Sequence, residues 1–463
     1  MEQHFRIDDL RKYSHAYMIG IGGISMSSLA LILLEKGLQV SGYDRSPSAL
    51  TQKLEAAGIK ICYEDDPSML EGVDLICYTA AVGAEHPQMR MAAHSGAKII
   101  PRAELLGAIA DSYSNAIAVA GTHGKSTTSG MLSHLFLHSP GKDPTVVVGA
   151  KITELDSAYK VGGDENFIFE ACEYKDSFLS FFPNISVVLN IQLDHTDYFP
   201  TLDHIRLSFE RFMSNTKPGG VCIMNRDCEN CKRAMETHSG RVITYSTEND
   251  PKADYRATNI DLSDGFGEFD VYKNGSFLLR AKLGVPGMHN VSNALAAVAA
   301  AIESGLSSEE IVTGLASYRG VNRRFEFLGE IGGARFFDDY AHHPDEIRVT
   351  LSAAKAITKG RVICAFQPHN YSRLRDLFDQ FLTCFEDADR VVLTKLYAAR
   401  ESAGEEVSSA LLADRLGADY VDDAQTLPAY LAELCKPGDT VLIMGAGDIG
   451  KVAEKIKKSE KIS

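Results

Sequence analysis

The sequence predicts an α/β protein of three domains, in which the first and last are Rossmann-like and the central one has a mixed or parallel sheet behind a phosphate-binding loop. Strand-like apolar segments alternate with helix-like segments almost throughout the chain. Two glycine-rich turns each follow a strand and open a helix. A length of 463 residues suits about three domains. We place them at residues 1–112, 113–320 and 321–463.

The composition is that of a globular protein, with 45% hydrophobic and 24% charged residues. The formal net charge of −15 disfavours nucleic acid or an anionic membrane surface as partners, and we expect neither. The chain start does not resemble a signal peptide, and the nine cysteines are scattered. These features predict a cytoplasmic protein. Cys228 and Cys231 are the one close pair, which we interpret as structural because no second pair or histidine flanks it.

The first domain opens on a strand at residues 16–19 and the glycine turn Gly20-Ile-Gly22-Gly23. Glycines there let backbone amides approach a phosphate at the positive end of the following helix. Asp44 ends the second strand about 20 residues later, where an acidic side chain can hold a ribose. The pattern predicts a nucleotide site, although such a turn also needs glycine for helix–strand packing alone.

The second glycine turn begins the central domain and runs Gly121-Thr-His-Gly-Lys125-Ser126-Thr127 between a strand and a helix. A P-loop uses glycines for a nest of backbone amides, lysine for the β- and γ-phosphates and a hydroxyl for Mg²⁺. Val119 stands where the leading glycine of the standard pattern would be, so the loop is a shortened variant. The turn predicts an ATP site, and with it a P-loop ATPase-type central domain.

Acidic and imidazole side chains follow two later strands of this domain. Glu170 ends one strand, where its carboxylate can hold Mg²⁺ across from Ser126, the alternative being a solvated strand end. Asp194-His195-Thr-Asp197 follows another apolar strand, at the edge where α/β sheets bind ligands. His195 can ligate a second metal ion or hydrogen-bond a phosphate.

The central domain ends with an antiparallel insertion at residues 257–283 and a helix of small apolar residues. Asn290 is expected to cap that helix. Asn293 lies one turn further on and is unusually polar for a packing face. It can read the edge of a base or have a structural role, and the sequence does not separate these two alternatives.

Polar turns also follow the strands of the third domain. Arg324 lies at the start of this domain, and a guanidinium suits a γ-phosphoryl group. Tyr340 and His342 follow one predicted strand, and His369 and Arg373 follow the next, so both turns should line one crevice. Arg373 suits the carboxylate of an amino acid. Two phosphate-binding turns and one amino-acid pocket predict a reaction of Mg·ATP with a second phosphate-bearing ligand.

The sequence is identified as a member of the Mur ligase family by motifs along essentially its whole length. These motifs are Gly-Ile-Gly-Gly-Ile-Ser-Met-Ser at 20–27, Gly-Thr-His-Gly-Lys-Ser-Thr-Thr at 121–128, Glu-Ala-Cys-Glu-Tyr at 170–174, Asp-His-Thr-Asp-Tyr at 194–198, Gly-Met-His-Asn at 287–290, Arg-Arg-Phe-Glu at 323–326, Asp-Asp-Tyr-Ala-His-His-Pro at 338–344 and Phe-Gln-Pro-His at 366–369.

The resemblance implies ATP-dependent ligation of L-alanine to the carboxylate of UDP-N-acetylmuramate through an acyl phosphate, in peptidoglycan precursor synthesis. The cofactor would be Mg²⁺ or Mn²⁺, and the enzyme a monomer or weak homodimer. Two alternatives stay open. One is a recycling ligase that joins a peptide to the same UDP-sugar, and the other is a non-catalytic nucleotide-binding regulator.

The resemblance also assigns residues to each ligand. The UDP-sugar would be bound by Gly20, Gly22, Gly23, Ile24, Ser25, Asp44 and Thr79. ATP would be bound by Gly121, Thr122, His123, Gly124, Lys125, Ser126, Thr127, Asn290, Asn293 and Arg324. L-Alanine would be bound by Tyr340, His342, His369 and Arg373, and the metal by Ser126, Glu170 and His195. The catalytic residues would be Lys125, Glu170, His195, Arg324 and His342.

The chain departs from the family pattern at several positions. Ser126 stands where many members have threonine, which keeps the hydroxyl. Asn370 stands where some alanine-adding members have arginine, so the alanine pocket differs from theirs at this position. Residues 208–211 offer no lysine of the kind that several relatives carbamylate, which fits the alanine-adding branch. Cysteine and tyrosine within Glu-Ala-Cys-Glu-Tyr are also unusual and leave the role of Glu173 open.

Overall fold

A computed structural model describes residues 5–79, 81–196, 198–399, 401 and 407–460. Helices and strands alternate along the chain, which confirms the predicted α/β class. The described residues form two compact units. The first comprises Met1–Gln192, Leu202–Tyr245 and Ala299–Leu306, and the second Leu193–Thr201, Ser246–Val298 and Ser307–Ser463. None of the described helices has the length and apolarity needed to cross a bilayer.

The elements up to residue 111 alternate regularly between helix and strand. They are α1 (Ile7–Leu10), β1 (His15–Ile19), α2 (Ile24–Glu35), β2 (Gln39–Tyr43), α3 (Ala49–Ala56), β3 (Lys60–Cys62), β4 (Leu75–Tyr78), α4 (Pro87–His94), β5 (Lys98–Pro101) and α5 (Arg102–Asp111), with a 3-10 turn at Pro67–Leu70. The strands form a parallel sheet in the order β3-β2-β1-β4-β5. This is the strand order of a Rossmann-type sheet, in agreement with the Rossmann-like first domain that the sequence predicted.

The next elements of the first unit carry the second glycine turn. They are β6 (Asn115–Ala120), α6 (Lys125–Leu137), β7 (Thr145–Ile152), β8 (Ser157–Lys160), β9 (Asn166–Glu170), β10 (Ile185–Val188), α7 (Leu202–Ser214), β11 (Val221–Asn225), α8 (Glu229–Glu236) and β12 (Val242–Ser246), with a 3-10 segment at Tyr174–Ser180. The strands run in the order β12-β11-β10-β6-β9-β7-β8, and only β8 is antiparallel to its neighbour. This confirms the predicted mixed sheet, although the β7–β8 hairpin was not predicted.

Two groups of strands belong to the second unit. The first group is β13 (Tyr255–Asp261), β14 (Phe266–Lys273) and β15 (Ser276–Pro286), which pair antiparallel as the sequence predicted for the insertion. They are followed by α9 (Met288–Glu303) and α10 (Ser308–Ser317). Asn290 therefore lies inside the first turn of α9, and the prediction that it caps the helix is wrong. Its Nδ2 instead donates to the carbonyl of Pro286 at 2.7 Å.

The remaining elements form a second Rossmann-like sheet. They are β16 (Glu326–Ile331), β17 (Ala334–Asp339), α11 (Pro344–Ile357), β18 (Val362–Phe366), α12 (Tyr371–Asp376), α13 (Phe378–Phe381), β19 (Arg390–Thr394), α14 (Ser409–Leu416), β20 (Asp419–Val421), α15 (Leu427–Leu434), β21 (Thr440–Met444) and α16 (Ile449–Glu460), with a 3-10 turn at Ala424–Thr426. The order is β16-β17-β21-β18-β19-β20, and β16 alone is antiparallel.

The central strands are apolar on both faces because helices cover each side of a parallel sheet. Every residue of β10, β18 and β21 is buried, and β6 is buried after its first residue. The residues that follow such a strand lie at the carboxyl edge of the sheet. The glycine turns and the polar turns begin at these strand ends.

We expect Gly107→Ala to destabilise the first unit. A Cβ on Gly107, inside α5, would lie 2.2 Å from the carbonyl oxygen of Ser180, a backbone atom that cannot swing away. Overpacking of this kind costs about 1–3 kcal/mol, more than alanine returns in helix propensity. Urea unfolding followed by circular dichroism would measure the loss. Gly83→Ala, where no described atom lies within 4 Å of the added Cβ, is the control. Equal stability of the two variants would contradict the packing argument.

Candidate active site

The first glycine turn joins β1 to α2 and is closed by Asp44. The Asp44 carboxylate accepts a hydrogen bond from the Gly22 amide at 2.8 Å, and a Cβ on Gly22 would lie 2.8 Å from the same oxygen. Gly23 caps α2 in an extended conformation, and Gly20 has a φ of +80°. Glycine is therefore required here by the close approach of Asp44 and by the backbone geometry.

The other predicted residues of this site lie around the same turn. Thr79 follows β4 and contacts Gly20 so closely that a Cβ would be 2.7 Å from its methyl group. Ile24 is 50% exposed at the start of α2. Ser25 accepts a hydrogen bond from Arg102 Nη1 at 3.0 Å. Arg102, which was not predicted as a site residue, brings a guanidinium to the turn, and a guanidinium suits a diphosphate.

The second glycine turn joins β6 to α6, which begins at Lys125. Gly121 and Gly124 have φ values of +144° and +86°, and Gly124 caps the helix in the left-handed region. Lys125 Nζ donates to the carbonyls of Gly121 at 2.5 Å and Thr122 at 3.1 Å. The side chain therefore folds back over its own loop, as a phosphate-binding lysine must if it is to reach a ligand held there.

Glu173 is the partner of this lysine, and the sequence had left its role open. Its two carboxylate oxygens accept hydrogen bonds from Lys125 Nζ at 3.1 and 2.9 Å. Glu173 has no accessible surface. Burial alone would lower the pKa of Lys125, but the carboxylate more than offsets it and the pKa is raised. The lysine is therefore held fully charged in the loop.

Glu170 lies at the end of β9, within the same unit as the loop. Its Oε1 accepts hydrogen bonds from the Gly149 amide at 2.6 Å and from the Ser129 hydroxyl at 3.3 Å. Ser129 lies one turn along α6 from Ser126, whose own side chain is partly exposed. A carboxylate and a hydroxyl are hard oxygen donors of the type that Mg²⁺ prefers.

The segment after β10 also holds the second glycine turn in place, through hydrogen bonds. Asn190 accepts a hydrogen bond from the His123 amide at 2.8 Å and donates to the His123 carbonyl at 3.0 Å. The Thr122 hydroxyl accepts from the Gln192 amide at 2.9 Å. Neither Asn190 nor Gln192 was predicted as a site residue. These contacts fix the backbone at His123 and Thr122. The remaining predicted residue of the loop, Thr127, lies in the first turn of α6.

A second group of predicted residues gathers in the second unit around Asp194. Asp194 accepts a hydrogen bond from the His195 amide at 2.7 Å and one from Arg373 Nη2 at 3.3 Å. Burial would raise the pKa of this carboxyl, but His195 and Arg373 outweigh it and hold the pKa well below its usual range. His195 itself has a φ of +53°. Asp197 of the same motif lies outside the described residues.

The predicted amino-acid residues meet beside this pair. Arg373 Nη1 lies 3.4 Å from His369 Nδ1, and the His369 ring stacks on Tyr397 at 5.7 Å between centroids. The rings of His342 and His369 are 6.1 Å apart. Asn370 has a φ of +70° and donates its amide hydrogen to the Tyr397 carbonyl. Arg373 is thus positioned by its neighbours to present a guanidinium beside two imidazoles.

Tyr340 and Arg324 lie near His342, whose ring centre is 5.5 Å from that of Tyr340. The Arg324 guanidinium lies 5.4 Å from the centre of the Tyr340 ring and 3.8 Å from a Glu346 oxygen. The other Glu346 oxygen accepts a hydrogen bond from the His342 amide at 3.0 Å. Glu346, from the first turn of α11, was not predicted from the sequence. It holds both Arg324 and the backbone of His342.

Asn290 and Asn293 form a short hydrogen-bonded chain at the start of α9. Both are buried, and Asn293 Nδ2 donates to Asn290 Oδ1 at 3.2 Å. The neighbouring His289 is partly buried, and its desolvation lowers its pKa to about 4. These hydrogen bonds anchor the start of α9 to Pro286, at the end of β15.

We expect His342 to make stability depend on pH. Burial lowers the pKa of His342 to about 4, against about 6.5 in an unfolded chain. The unfolded state therefore binds a proton that the folded state does not between pH 6.5 and 4, so stability is lost as the pH falls through this window. His342→Gln should reduce this loss in the free energy of unfolding by up to about 1.4 kcal/mol per pH unit. Urea unfolding from pH 7 to 4 would measure it, and parallel curves for the two proteins would contradict it.

Family models match three consecutive parts of the chain. Residues 15–114 match the Mur ligase family catalytic domain, residues 119–301 the Mur ligase middle domain, and residues 323–447 the Mur ligase glutamate ligase domain. These matches agree with the predicted three-domain architecture.

Curated relatives match along nearly the whole chain. UDP-N-acetylmuramate–L-alanine ligase of Agathobacter rectalis is 42% identical over 457 residues, covering 97% of this chain and 99% of the relative. The protein of the same name from Lachnospira eligens is 43% identical over 458 residues, with the same coverage.

Solved structures share the fold. The crystal structure of UDP-N-acetylmuramate-alanine ligase from Thermotoga maritima superimposes with a TM-score of 0.80 at 27% identity, covering 97% of this chain and 99% of that one. A murein peptide ligase from Psychrobacter arcticus superimposes with a TM-score of 0.70 at 22% identity, covering 96% and 98%. Since relatives above 40% identity span almost its full length, the chain belongs to the Mur ligase family.

Proposed function

We propose that this protein uses ATP to ligate L-alanine to the carboxylate of UDP-N-acetylmuramate in peptidoglycan precursor synthesis. The observation that carries the proposal is the 42% identity, over 97% of the chain, with a relative of that name. In the reaction the muramoyl carboxylate attacks the γ-phosphorus of ATP, displaces ADP and forms an acyl phosphate. The amine of L-alanine then attacks the acyl carbon and phosphate leaves.

The second glycine turn is the proposed ATP site. Gly121, Thr122, His123, Gly124 and Thr127 would surround the phosphates with backbone amides, and Lys125 would neutralise charge on the β- and γ-phosphates. Asn290 and Asn293 would contact adenine, and Arg324 would contact the phosphates. The support for Lys125 is its charged state and its fixed position over the loop.

A divalent cation, Mg²⁺ or Mn²⁺, is the proposed cofactor. Ser126, Glu170 and His195 would hold it, and their oxygen and imidazole donors suit such an ion. When bound, the ion supplies positive charge to the transferring phosphoryl group. Glu170 is itself oriented by the Gly149 amide and the Ser129 hydroxyl, which leaves its position independent of the ion.

The amino-acid pocket is proposed around Tyr340, His342, His369 and Arg373. Arg373 would hold the carboxylate of L-alanine, since a guanidinium binds a carboxylate through two parallel hydrogen bonds. His342 and His369 have pKa values lowered to about 4 by burial, so both are neutral at pH 7. Neutral imidazoles add no positive charge beside the alanine ammonium group, and each can accept a hydrogen bond from it.

The UDP-sugar is proposed to bind at the first glycine turn, through Gly20, Gly22, Gly23, Ile24, Ser25, Asp44 and Thr79. We add Arg102 to this set because its guanidinium reaches Ser25. We further propose domain boundaries near residues 112 and 320, a cytoplasmic location, and a monomer or weak homodimer.

The decisive experiment is amide formation assayed with UDP-N-acetylmuramate, Mg·ATP and a panel of L-alanine, glycine, L-serine and the stem tripeptide. We expect L-alanine to give the highest kcat/KM. Turnover with the tripeptide alone would identify the recycling ligase instead. ATP binding without turnover of any acceptor would identify a non-catalytic regulator.

Lys125→Ala should lower ligation by at least about 10²–10³-fold, because it removes a positive charge that acts on the transferring phosphoryl group. Binding of UDP-N-acetylmuramate should persist, since the two glycine turns lie on different sheets. Phosphate release and isothermal calorimetry would measure the two effects. Lys151→Ala, at a half-exposed lysine, is the control. Loss of UDP-sugar affinity in Lys125→Ala would refute the division of the two sites.

Arg373→Lys should raise the KM for L-alanine about 10- to 100-fold, because an ammonium group keeps the charge but cannot form the paired hydrogen bonds. The KM for UDP-N-acetylmuramate should stay constant. Steady-state kinetics would measure both constants. Arg375→Lys, at an exposed arginine on the same helix, is the matched control. An unchanged KM for L-alanine would remove Arg373 from the pocket.

A further inference from the structure

Cys228 and Cys231 stand together at the start of α8, and neither has been assigned a role above. Cys228 is the residue that precedes the helix, with extended backbone angles, and Cys231 is the third residue inside it. Cys228 is partly exposed, whereas Cys231 has no accessible surface. Because Cys228 precedes the helix in an extended conformation, it is not held at helical spacing from Cys231, and a Cys-x-x-Cys pair at a helix start is an arrangement found in redox-active dithiols.

The two thiols differ sharply in their ionisation. Hydrogen bonding by the Cys231 thiol and by the backbone amides of Ile191, Cys231 and Asn230 favours the thiolate of Cys228, outweighs burial and lowers the pKa of Cys228 to about 6. Burial raises the pKa of Cys231 well above its usual value. The pair therefore consists of an accessible thiolate and a buried protonated thiol, the arrangement of an attacking and a resolving cysteine.

A metal site does not explain the pair. In the part of the chain that the structure describes, neither of the clusters of three or more histidine, cysteine or carboxylate donors that could hold an ion includes this pair. Two thiolates alone leave a tetrahedral ion half coordinated. The close spacing is therefore better suited to sulfur chemistry between the two residues.

The pair contacts the segment that fastens the ATP loop. Asn230, which lies between the two cysteines, donates a hydrogen bond from its side chain to the Ile191 carbonyl at 2.8 Å. Ile191 lies between Asn190, which binds His123, and Gln192, which binds Thr122. The Cys228 sulfur is therefore one residue removed from both contacts that hold the loop.

We propose that Cys228 and Cys231 form a redox-active dithiol whose oxidation weakens the hold of this segment on the ATP loop. The oxidant is a low-molecular-weight disulfide. The Cys228 thiolate attacks one of its sulfurs, forming a mixed disulfide and releasing one thiolate. Cys231 then loses its proton to solvent and attacks the Cys228 sulfur, which breaks the mixed disulfide and releases the second thiolate. Two protein thiols are oxidised to one disulfide, and one small disulfide is reduced to two thiols.

Oxidation weakens the contacts of the loop because it removes the Cys228 thiolate as a hydrogen-bond acceptor. A thiolate accepts a hydrogen bond from the Ile191 amide strongly, whereas a disulfide sulfur is a weak acceptor. The lowered pKa of Cys228 stabilises the reduced form, which makes the disulfide easy to reduce. The pair therefore stays reduced in a reducing compartment and oxidises only when the balance of small thiols and disulfides shifts.

Disulfide mapping tests the dithiol on the full-length protein. The protein is equilibrated with mixtures of oxidised and reduced glutathione, blocked with N-ethylmaleimide, digested and analysed by mass spectrometry. We expect a Cys228–Cys231 disulfide to form, and Cys231→Ala to stop at a Cys228–glutathione mixed disulfide. Cys435→Ala, at another partly exposed cysteine, should leave the disulfide unaffected. Full alkylation of both cysteines, or a mixed disulfide that Cys231 never resolves, would overturn the proposal.

Calorimetric titration of ATP tests the coupling, which rests on the proposed ATP site. The oxidised protein should bind ATP about two- to tenfold more weakly than the reduced protein, as expected when one hydrogen bond is weakened. UDP-N-acetylmuramate affinity should not change, and Cys228→Ala should be insensitive to oxidised glutathione. Equal ATP affinity in both states would overturn the coupling. Failure of the reduced protein to bind ATP would instead refute the proposed function, and the disulfide mapping would still decide the dithiol.

Discussion

The pairing of Lys125 with Glu173 is the interaction on which the second glycine turn depends. An ammonium group that is mostly buried requires a partner charge, because an uncompensated buried charge costs several kcal/mol. Glu173 supplies it from a position without accessible surface. The same ammonium group binds the Gly121 and Thr122 carbonyls, so the pair also sets the curvature of the loop. Asn190 and Gln192 then fix the backbone from the other side.

The other cations of the candidate site are paired with carboxylates in the same way. Arg373 faces Asp194, and Arg324 faces Glu346. Each carboxylate also accepts a hydrogen bond from a backbone amide, which fixes it before any ligand arrives. An acidic protein of net charge −15 thus keeps its ligand-binding cations in defined positions by giving each one a buried or half-buried acidic neighbour. The negative net charge of the whole chain is therefore compatible with fixed positive charges at the candidate site.

The sequence predicts the sheets well because their strands are unambiguous apolar runs between glycine turns. It does not predict Glu173 or Glu346, since their roles depend on contacts with side chains of other elements. Strand β16 was missed as well, although Gly332-Gly333 marks a hairpin turn after it. Asn290 was expected to cap α9 from its residue type alone. In the structure Gly287, with a φ of +98°, lets the helix begin earlier, at Met288.

The Lys125–Glu173 contact has a consequence for how tightly an anion can be held in this loop. A phosphate that enters meets a cation that is already neutralised, so binding is a competition between two anions for one lysine. The free energy of binding is the difference between two pairings, and it is smaller than the attraction of a phosphate for a bare ammonium group. A loop built in this way releases its occupant readily, which a protein that must exchange one nucleotide for another in each cycle requires.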